Sequence, residues 1–460
     1  MILQNHMPLK AKVTFCAGTE SVTGANFLFE ADGKKILIDC GLEQSNKLAE
    51  EANWKPFAYN PAEIDILFIT HAHIDHIGLI PKLIHEGFKG IIYSTLPTHE
   101  ITKFMLDDTA GILSKDREHN LRDIYSEQNL KRTFELWKNL EYYQKFKITE
   151  NLSVEFLNAG HILGSAMVKF HYSDSRIVFT GDLGNSPSSL LPDTDNITDA
   201  TYLVMESVYG DRIHEDRNTR KDKLEDAIED NVKRKGVLLI PTFSLERSQE
   251  LLFEIGTMIE GNRIPLIPIL FDSPLAIKLT TVFRKYTSYF KKEVRDMAAT
   301  GDDLFMFPGL QSTLETDQSK MIIRIPLPKV IIAGSGMSSG GRILHHEQAY
   351  LPDPKSTLLL TGYQGRGTLG RLIEDGAKTV HISGQEVTVR ARVVTISGYS
   401  GHKDSDGLIK FVEATSDSLK KVFVVMGEPK SSMFLVQKLR DNLGINAYPP
   451  KTGETVELDF

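Results

Sequence analysis

Cysteine is scarce in this sequence, with only Cys16 and Cys40 among 460 residues. Two cysteines cannot form the disulfide network that stabilises many secreted domains, and such scarcity is typical of a reducing compartment. The first residues, MILQNHMPLKAKVTF, also lack the basic start, apolar stretch and small-residue cleavage site of a signal peptide. We therefore expect a cytoplasmic protein.

Long apolar runs and an excess of basic residues are missing as well. Apolar runs such as IPLIPIL are far shorter than the ~20 residues that a membrane-spanning helix needs, so no membrane partner is expected. Lysine and arginine number 53 against 61 aspartates and glutamates, which gives a net charge of −8. This balance supplies no general positive field, and a polyanionic partner would need a local positive site.

The hydrophobic pattern changes its rhythm along the chain. Up to about residue 208, short apolar strands alternate with turn residues and predict packed sheets. Residues 98–147 interrupt these strands with a predicted helical stretch, in which apolar residues recur at helical spacing from Leu130 to Leu140. From about residue 209, strands, glycine-rich turns and helices alternate, which predicts a parallel sheet flanked by helices. The fold class is therefore α/β.

A dense cluster of metal-ligand residues lies in THAHIDHIG at 70–78, directly after the predicted strand DILFIT. Imidazole and carboxylate are the donors that zinc prefers, and a loop at a strand end can turn several side chains toward one point. Histidines without a shared role would seldom fall so close together. The spacing allows two metal ions, with His71 and His73 on one and Asp75 and His76 on the other.

Further donors follow other predicted strands. His161 comes after NLSVEFLNAG, and Asp182 ends RIVFTGD. Alone, each would be an ordinary turn residue, but with the histidine cluster they complete a two-metal site with His161 on the first ion and Asp182 bridging. Asp39 ends the strand KKILID, which suits a carboxylate that orients a metal ligand or a water on the metal.

These motifs resemble those of the metallo-β-lactamase superfamily and, within it, the β-CASP nucleases. The His-x-His-x-Asp-His signature matches residues 71–76, and the later His and Thr-Gly-Asp elements match His161 and residues 180–182. The acidic element that begins the inserted domain matches Glu206 in MESVYGD, and a Ser-x-His-x-Asp element matches residues 400–404. PTFSLERSQELL, DSPLA, GSGMSSGGR and GYQGRGTLGR extend the resemblance along essentially the whole chain.

The resemblance implies an αββα metallo-β-lactamase sandwich with a parallel-sheet β-CASP domain inserted into it. We expect the sandwich to comprise residues 1–208 and 395–460, and the β-CASP domain to comprise residues 209–394. Two zinc ions would lower the pKa of a water that attacks a phosphodiester, although manganese also suits these nitrogen and oxygen donors. The candidate catalytic residues are Asp39, Asp75, Asp182, Glu206 and His402.

The resemblance also assigns a proton donor and phosphate contacts. His402 is implied as the general acid for the leaving group, with Glu206 fixing its tautomer and raising its pKa. The loop at 334–342 lacks the patterns of a phosphate loop and of a dinucleotide site, so no nucleotide cofactor is expected. The implied phosphate contacts are Ser338, Arg342, Ser400 and Arg247, although a helix-surface salt bridge is an equally good account of Arg247.

One element departs from the family pattern. RNA-processing members carry a final histidine before Gly-Glu, and this sequence has Met426 there, in VVMGEP. A thioether is a poor zinc ligand, so we expect Met426 to be a packing residue and the second ion to bind more weakly. DNA-directed members also lack this histidine, which weakens the inference that the substrate is RNA.

The best interpretation is a metal-dependent nuclease of single-stranded RNA that cuts endonucleolytically, and a 5′–3′ exonucleolytic mode is left open. The alternatives are a DNA-directed nuclease and a catalytically silent member that binds nucleic acid, the latter disfavoured because all the metal motifs are present. A small-ester hydrolase is disfavoured by the full insert. The expected partner is single-stranded RNA or DNA, and a homodimer is left open.

Overall fold

A computed structural model describes residues 10–44, 47–114, 119, 121–365 and 367–459 of the chain. These residues divide into two compact units. The first unit comprises the described residues within Met1–Ser186, Asp193–Ile213 and His402–Phe460, and the second comprises Pro187–Pro192 and those within His214–Gly401. The first unit is thus built from separated stretches of sequence.

The first unit contains two mixed sheets. The first sheet has the strand order β22–β1–β2–β3–β4–β5–β6, antiparallel from β22 to β3 and parallel from β3 to β6. Its strands are β1 (Lys10–Ala17), β2 (Asn26–Ala31), β3 (Lys34–Ile38), β4 (Ile66–Phe68), β5 (Ile91–Ser94), β6 (Trp137–Asn139) and β22 (Thr455–Asp459).

The second sheet has the order β21–β20–β11–β10–β9–β8–β7, with β7 to β10 antiparallel and β10, β11, β20 and β21 parallel. Its strands are β7 (Phe146–Lys147), β8 (Leu152–Asn158), β9 (Ala166–Tyr172), β10 (Ser175–Phe179), β11 (Tyr202–Met205), β20 (Lys421–Val424) and β21 (Ala447–Tyr448).

The main core of the first unit lies between these two sheets. Phe29 and Phe68 of the first sheet contact Phe170 of the second, with ring centroids 4.9 and 5.5 Å apart. A second cluster joins the outer face of the second sheet to two helices, where Leu408 and Leu435 pack near Leu203. The helices of this unit are α1 (Lys47–Ala52), α2 (Ile74–Ile77), α3 (Ile80–His85), α4 (Leu96–Leu113), α5 (Leu121–Ile124), α6 (Glu127–Glu135), α14 (Ser405–Glu413) and α15 (Pro429–Leu443).

The predicted helical stretch at 98–147 is only partly correct. Helices α4, α5 and α6 occupy its first part, but α6 ends at Glu135 and Trp137 begins strand β6, which pairs with β5. The Trp137 indole donates to the Ser94 hydroxyl at 2.9 Å. Leu140 follows the end of β6, and its N–H donates to the Ser94 carbonyl. Pairing with a neighbouring strand therefore outweighs the local helical spacing.

The second unit is built around a parallel sheet of order β14–β13–β15–β12–β16–β19. Its strands are β12 (Val237–Pro241), β13 (Ile269–Asp272), β14 (Leu310–Ser312), β15 (Lys329–Ala333), β16 (Thr357–Leu360) and β19 (Arg392–Thr395). An antiparallel pair, β17 (Thr379–Ile382) and β18 (Gln385–Thr388), stands apart from it. The alternation of strand and helix predicted from about residue 209 is confirmed as an α/β arrangement.

Helices connect the parallel strands of the second unit. They are α7 (Arg220–Arg234), α8 (Arg247–Glu260), α9 (Pro274–Lys285), α10 (Lys292–Ala299), α11 (Thr316–Met321), α12 (Ile343–Tyr350) and α13 (Leu369–Glu374). Single 3₁₀ turns at Arg217–Thr219 and Ser397–Tyr399 flank this series. Nowhere in the described ranges does a helix have both the length and the apolar character needed to cross a membrane.

Candidate metal centre

The predicted metal ligands all follow strand ends of the first unit. His71 and His73 lie in the loop after β4, and Asp75 and His76 lie in the short helix α2 that ends this loop. His161 follows β8, and Asp182 follows β10. Buried strands carry these residues to one region, so the side chains meet although they are far apart in sequence.

Three histidines and one aspartate form the first half of the centre, here called the three-histidine half. His73 Nδ1 lies 3.1 Å from His71 Nε2 and 3.2 Å from His161 Nε2. Asp182 Oδ2 lies 3.4 Å from His71 Nε2 and 3.5 Å from His161 Nε2. These four residues each offer one donor atom, and all four atoms lie within 4.8 Å of one another.

Burial sets the charge state of this half. Burial, together with neighbouring imidazoles, holds the pKa values of His71 and His73 well below their usual range. Neutral imidazole is the form that binds a metal ion. The neutral side chains can therefore bind a cation, and the spacing of their donor atoms suits a single metal ion.

The second half, called the aspartate half, contains Asp75 and His76 and shares Asp182. His76 Nε2 lies 3.4 Å from Asp182 Oδ1 and 3.9 Å from Asp75 Oδ2. Among the described residues, His76 Nε2 and Asp182 Oδ1 are buried atoms without a hydrogen-bond partner. Buried polar atoms are nearly always satisfied, so this facing pair fits the donors of a divalent cation.

Asp39 supports the aspartate half from behind. Its Oδ2 lies 2.6 Å from His76 Nδ1 and accepts a hydrogen bond from the Thr70 hydroxyl, while its Oδ1 accepts from the Thr70 N–H, the last two at 2.8 Å. With Nδ1 bonded to a carboxylate, Nε2 is left to face Asp182. Burial lowers the pKa of His76, but the carboxylates of Asp182 and Asp39 outweigh it and raise the pKa well above its usual value.

Glu206 and His402 lie beside the shared aspartate. His402 Nδ1 is 3.2 and 3.3 Å from the two Glu206 carboxylate oxygens and 3.9 Å from Asp182 Oδ2. Burial lowers the pKa of His402, but the charges of Glu206 and Asp182 outweigh it and raise the pKa to about 9. A raised pKa favours the protonated imidazole, which is the form that can donate a proton.

Met426, where the family has a histidine, is buried near the aspartate half. It is 2% exposed, belongs to the core between the sheets and has a left-handed φ of 48°. With Asp39, His76 and Glu206 it lines one small cavity. Met426 is thus a buried packing residue close to the aspartate half.

Sequence reasoning missed Thr70, Gly184 and the close approach of two loops at Gly41. A Cβ on Gly41 would lie 1.5 Å from the Asp75 carbonyl oxygen, and one on Gly184 would lie 1.8 Å from the Gly160 carbonyl oxygen. No side chain fits such approaches. Gly41 follows Asp39 closely and Gly184 follows Asp182 closely, and this placement after each acidic residue was the available signal.

The predicted phosphate contacts lie in the second unit and are engaged there. Ser338 is buried with a φ of 55°, and its hydroxyl donates to Glu347 Oε1 at 2.5 Å. Arg342 donates to Asp272 Oδ1 at 2.7 Å and to the Thr313 carbonyl at 2.9 Å. A phosphate role for these two side chains stays a prediction.

Arg247 and Ser400 lie elsewhere in the second unit. Arg247 donates to the Thr361 carbonyl, and its Nε lies 3.5 Å from Glu250 Oε2. Glu250 is therefore a salt-bridge partner of Arg247. Ser400 is 4% exposed, and its carbonyl accepts from Arg217 at 3.0 Å. Their contact with phosphate also stays a prediction.

Comparison with known families defines the class of protein. The model of the metallo-beta-lactamase superfamily domain matches residues 28–208, and the Beta-Casp domain matches residues 248–373. The Zn-dependent metallo-hydrolase RNA specificity domain matches residues 386–450. The predicted family and fold class are confirmed, and this is a family of metal-dependent hydrolases.

Individual relatives agree over nearly the whole chain. Ribonuclease TTHA0252 of Thermus thermophilus is 36% identical over 92% of this chain and 94% of its own length. An RNase J-like protein of Methanocaldococcus jannaschii is 30% identical over 96% of this chain and 99% of its own length. The chain therefore belongs to the β-CASP branch of the metallo-β-lactamase superfamily.

More distant matches add the fold and a further relative. Transcription termination factor FttA of Methanosarcina mazei is 29% identical over 97% of this chain and 71% of its own length. A crystal structure of a protein of unknown function from Enterococcus faecalis V583 covers 98% of this chain and all of its own, with a TM-score of 0.59 and 14% identity. At that identity the likeness concerns the fold alone.

Proposed function

We propose that this protein is a two-zinc ribonuclease that hydrolyses phosphodiester bonds of single-stranded RNA. The observation that carries the proposal is the shared Asp182, whose two oxygens face separate groups of histidine nitrogens. Family membership, a match to an RNA specificity domain, and relatives named ribonuclease and RNase J-like support RNA as the substrate. Zinc is favoured by the mixture of imidazole and carboxylate donors.

The residues that would hold the two ions fall into the two halves of the centre. The first ion would be held by His71, His73 and His161, the second by Asp75 and His76, and Asp182 would serve both. Two such cations lower the pKa of a bound water and offset the negative charge that develops on phosphate. Asp39 would contribute by holding the tautomer of His76 through the bond at Nδ1.

The chain's own residues would handle the proton. We propose His402 as the general acid, because its imidazole lies beside the shared Asp182 and is paired with Glu206. A departing sugar alkoxide is a poor leaving group, and a positioned proton donor contributes about 10²–10⁴-fold to such a reaction. Glu206, 1% exposed, also accepts from the Leu183 N–H, so its carboxylate is fixed while it holds His402.

Phosphate groups flanking the cut would be bound by a further set of residues. We propose Ser338, Arg342, Arg247 and Ser400 for these contacts, as the family resemblance implies. Because Ser338 and Arg342 already have protein partners, a phosphate would have to share or replace those bonds. Contacts of this kind do not read bases, so little sequence preference is expected.

The test combines metal analysis with matched substrates. Purified protein should contain zinc, cleave a labelled single-stranded RNA, and leave a DNA of the same sequence largely intact. His402→Ala should keep its metal and lose about 10²–10⁴-fold in kcat. His85→Ala, a change at an exposed histidine of the same unit, is the matched control and should behave as the parent.

Each result bears on a separate part of the proposal. Parental cleavage by metal-loaded His402→Ala would remove the acid role from this residue. Faster cleavage of the DNA would favour the DNA-directed alternative, which is compatible with Met426 in place of the histidine of the RNA-processing members. Absence of cleavage of either polymer by metal-loaded protein would point to a binding member of the family.

A further inference from the structure

A buried cluster of charged residues in the second unit surrounds the segment that immediately precedes His402. This segment is the 3₁₀ turn Ser397–Tyr399 followed by Ser400. The charged residues are no more than 8% exposed. We call them the arginine cluster, and its members are Arg217, Arg220, Arg247, Glu250 and Glu254.

Members of the arginine cluster contact the segment at Gly398, Tyr399 and Ser400. Arg217 donates from one terminal nitrogen to the Ser400 carbonyl at 3.0 Å, and Arg220 donates to the Gly398 carbonyl at 3.4 Å. The Tyr399 ring is fully buried and has two guanidinium groups close to it, with Arg220 at 4.9 Å and Arg247 at 5.5 Å from its centroid. The Tyr399 hydroxyl donates to Glu254.

Arg217 is itself held in place by a second bond. Its other terminal nitrogen donates to Glu250 Oε1 at 3.0 Å. Burial raises the pKa of Glu250, but the charges of Arg220, Arg217 and Arg247 outweigh it and lower the pKa to about 2. Glu250 is therefore ionised at any ordinary pH, and the guanidinium fork spans a fixed carboxylate and the Ser400 carbonyl.

The chain on the other side of His402 is anchored within the first unit. The Lys403 N–H donates to the Leu183 carbonyl at 2.9 Å, and the Ser405 N–H donates to the Arg212 carbonyl at 3.0 Å. Ser400 precedes His402 by two residues, so a defined carbonyl is held shortly before the imidazole and a defined N–H directly after it. The chain is thus held at Ser400 within the second unit and at Lys403 within the first unit.

We propose that Arg217 is a positioning residue for His402, acting through the Ser400 carbonyl and not by contact with substrate. The inference rests on the acid role proposed for His402. Proton transfer needs a close and aligned donor, and a displacement of about 1 Å can cost on the order of 10²-fold. Loss of the bond from Arg217 would let the segment shift and would misplace the imidazole.

The test uses a pair of RNAs that differ in one bridging atom. One has the natural oxygen in the departing group, and the other has sulfur, which leaves as an anion without a proton. Arg217→Lys keeps a positive charge beside Glu250 but cannot span both partners. We expect it to lose at least about tenfold in kcat on the oxygen-bridged RNA and little on the sulfur-bridged RNA, as His402→Ala should.

A matched control separates positioning from loss of stability. Lys329 is also a buried cation of the second unit, and its Nζ donates to the carbonyls of Ile322 at 2.7 Å and Ile325 at 3.0 Å. Lys329→Met should lower Tm without changing the ratio of the two rates. Metal content and Tm are measured for every variant.

The outcomes are distinguishable. If Arg217→Lys slows both RNAs equally while His402→Ala spares the sulfur-bridged RNA, the positioning role is overturned and the acid role stands. If His402→Ala itself slows both RNAs equally, the acid role and the inference built on it both fall. If Arg217→Lys matches His402→Ala in sparing the sulfur-bridged RNA, the inference is supported.

Discussion

The two halves of the metal centre differ in how completely the protein alone assembles them. In the three-histidine half, donor atoms of His71, His73, His161 and Asp182 already lie within 4.8 Å of one another. In the aspartate half, no set of three donor atoms that includes Asp75 or His76 comes together so closely among the described residues, and the nearby Met426 offers only a buried thioether. The folded protein therefore already holds the donors of the first site together, whereas binding of the second ion must still bring its donors together.

This difference predicts an order of affinity. A site whose donors are held in place loses little freedom when an ion binds, so the three-histidine half should bind zinc more tightly. Thiolate and imidazole are good zinc ligands, whereas a thioether is not, so Met426 adds nothing to the second ion. Titration of metal-free protein with zinc should accordingly show two unequal binding steps.

The largest expected effect comes from Asp182→Asn, which should break both halves together. Its two oxygens face both groups of nitrogens, and the amide removes the charge while keeping the shape. We expect weaker binding of both ions and a loss of cleavage on the order of 10³-fold or more, because two-metal stabilisation is worth several kcal/mol. Zinc per chain and RNA cleavage are measured on the same preparation.

A control for this change is Asp199→Asn. Asp199 is a half-exposed carboxylate of the same unit whose partners are Lys169 and Arg176. It should keep two ions and parental cleavage. If Asp182→Asn also kept both ions at parental affinity, the description of one shared donor would be wrong.

The next effect separates the halves. Asp39→Asn should weaken the second ion by about 10–100-fold and the first by less, because Asp39 bonds His76 directly and reaches His71 only through the Thr70 hydroxyl. Asparagine tolerates the φ of 58° at this position, so the backbone need not move. Equal weakening of both zinc-binding steps would show that the two halves are not independent.

The metal ligands could be predicted from sequence because they are local. Four of them fall in one hexapeptide, and the others sit at the ends of strongly apolar strands. The role of Thr70 could not be predicted, because its hydroxyl contacts Asp39 only in the folded protein and no local sequence pattern marks that contact. Trp137 was wrongly placed in a helix for the related reason that its strand exists only through pairing with β5.

A smaller effect concerns the proton rather than the metal. Glu206→Gln removes the carboxylate charge that does most to raise the pKa of His402, so that pKa should fall. A general acid works only below its pKa, and the alkaline limb of the kcat profile should therefore move to lower pH. A fall of one unit costs about tenfold in kcat on that limb, with little change well below it.

The pH profile also distinguishes this change from damage to the centre. Loss of metal would lower kcat across the whole range, whereas a change in the acid alters the position of one limb. Zinc content should remain parental in Glu206→Gln, since its carboxylate bonds His402 and the Leu183 N–H. An unmoved limb would contradict the role of Glu206 in setting the pKa of His402.

The smallest change in activity is expected from Met426→His, which should make the two halves more alike. Histidine is among the residues that accept a left-handed backbone, so the φ of 48° is no obstacle. Met426 already lines a cavity with His76 and Glu206, and we expect an imidazole there to reach the aspartate half. We expect the second zinc-binding step to strengthen by roughly tenfold, with kcat at saturating zinc nearly unchanged.

Met426→Leu is the matched control, because it keeps the apolar packing and offers no donor. It should leave the second zinc-binding step at its parental affinity. If Leu and His strengthen that step equally, the gain comes from packing and not from a new ligand. If neither variant changes it, the thioether is not what separates the two halves, and the wider spread of the donors of Asp75, His76 and Asp182 becomes the remaining cause.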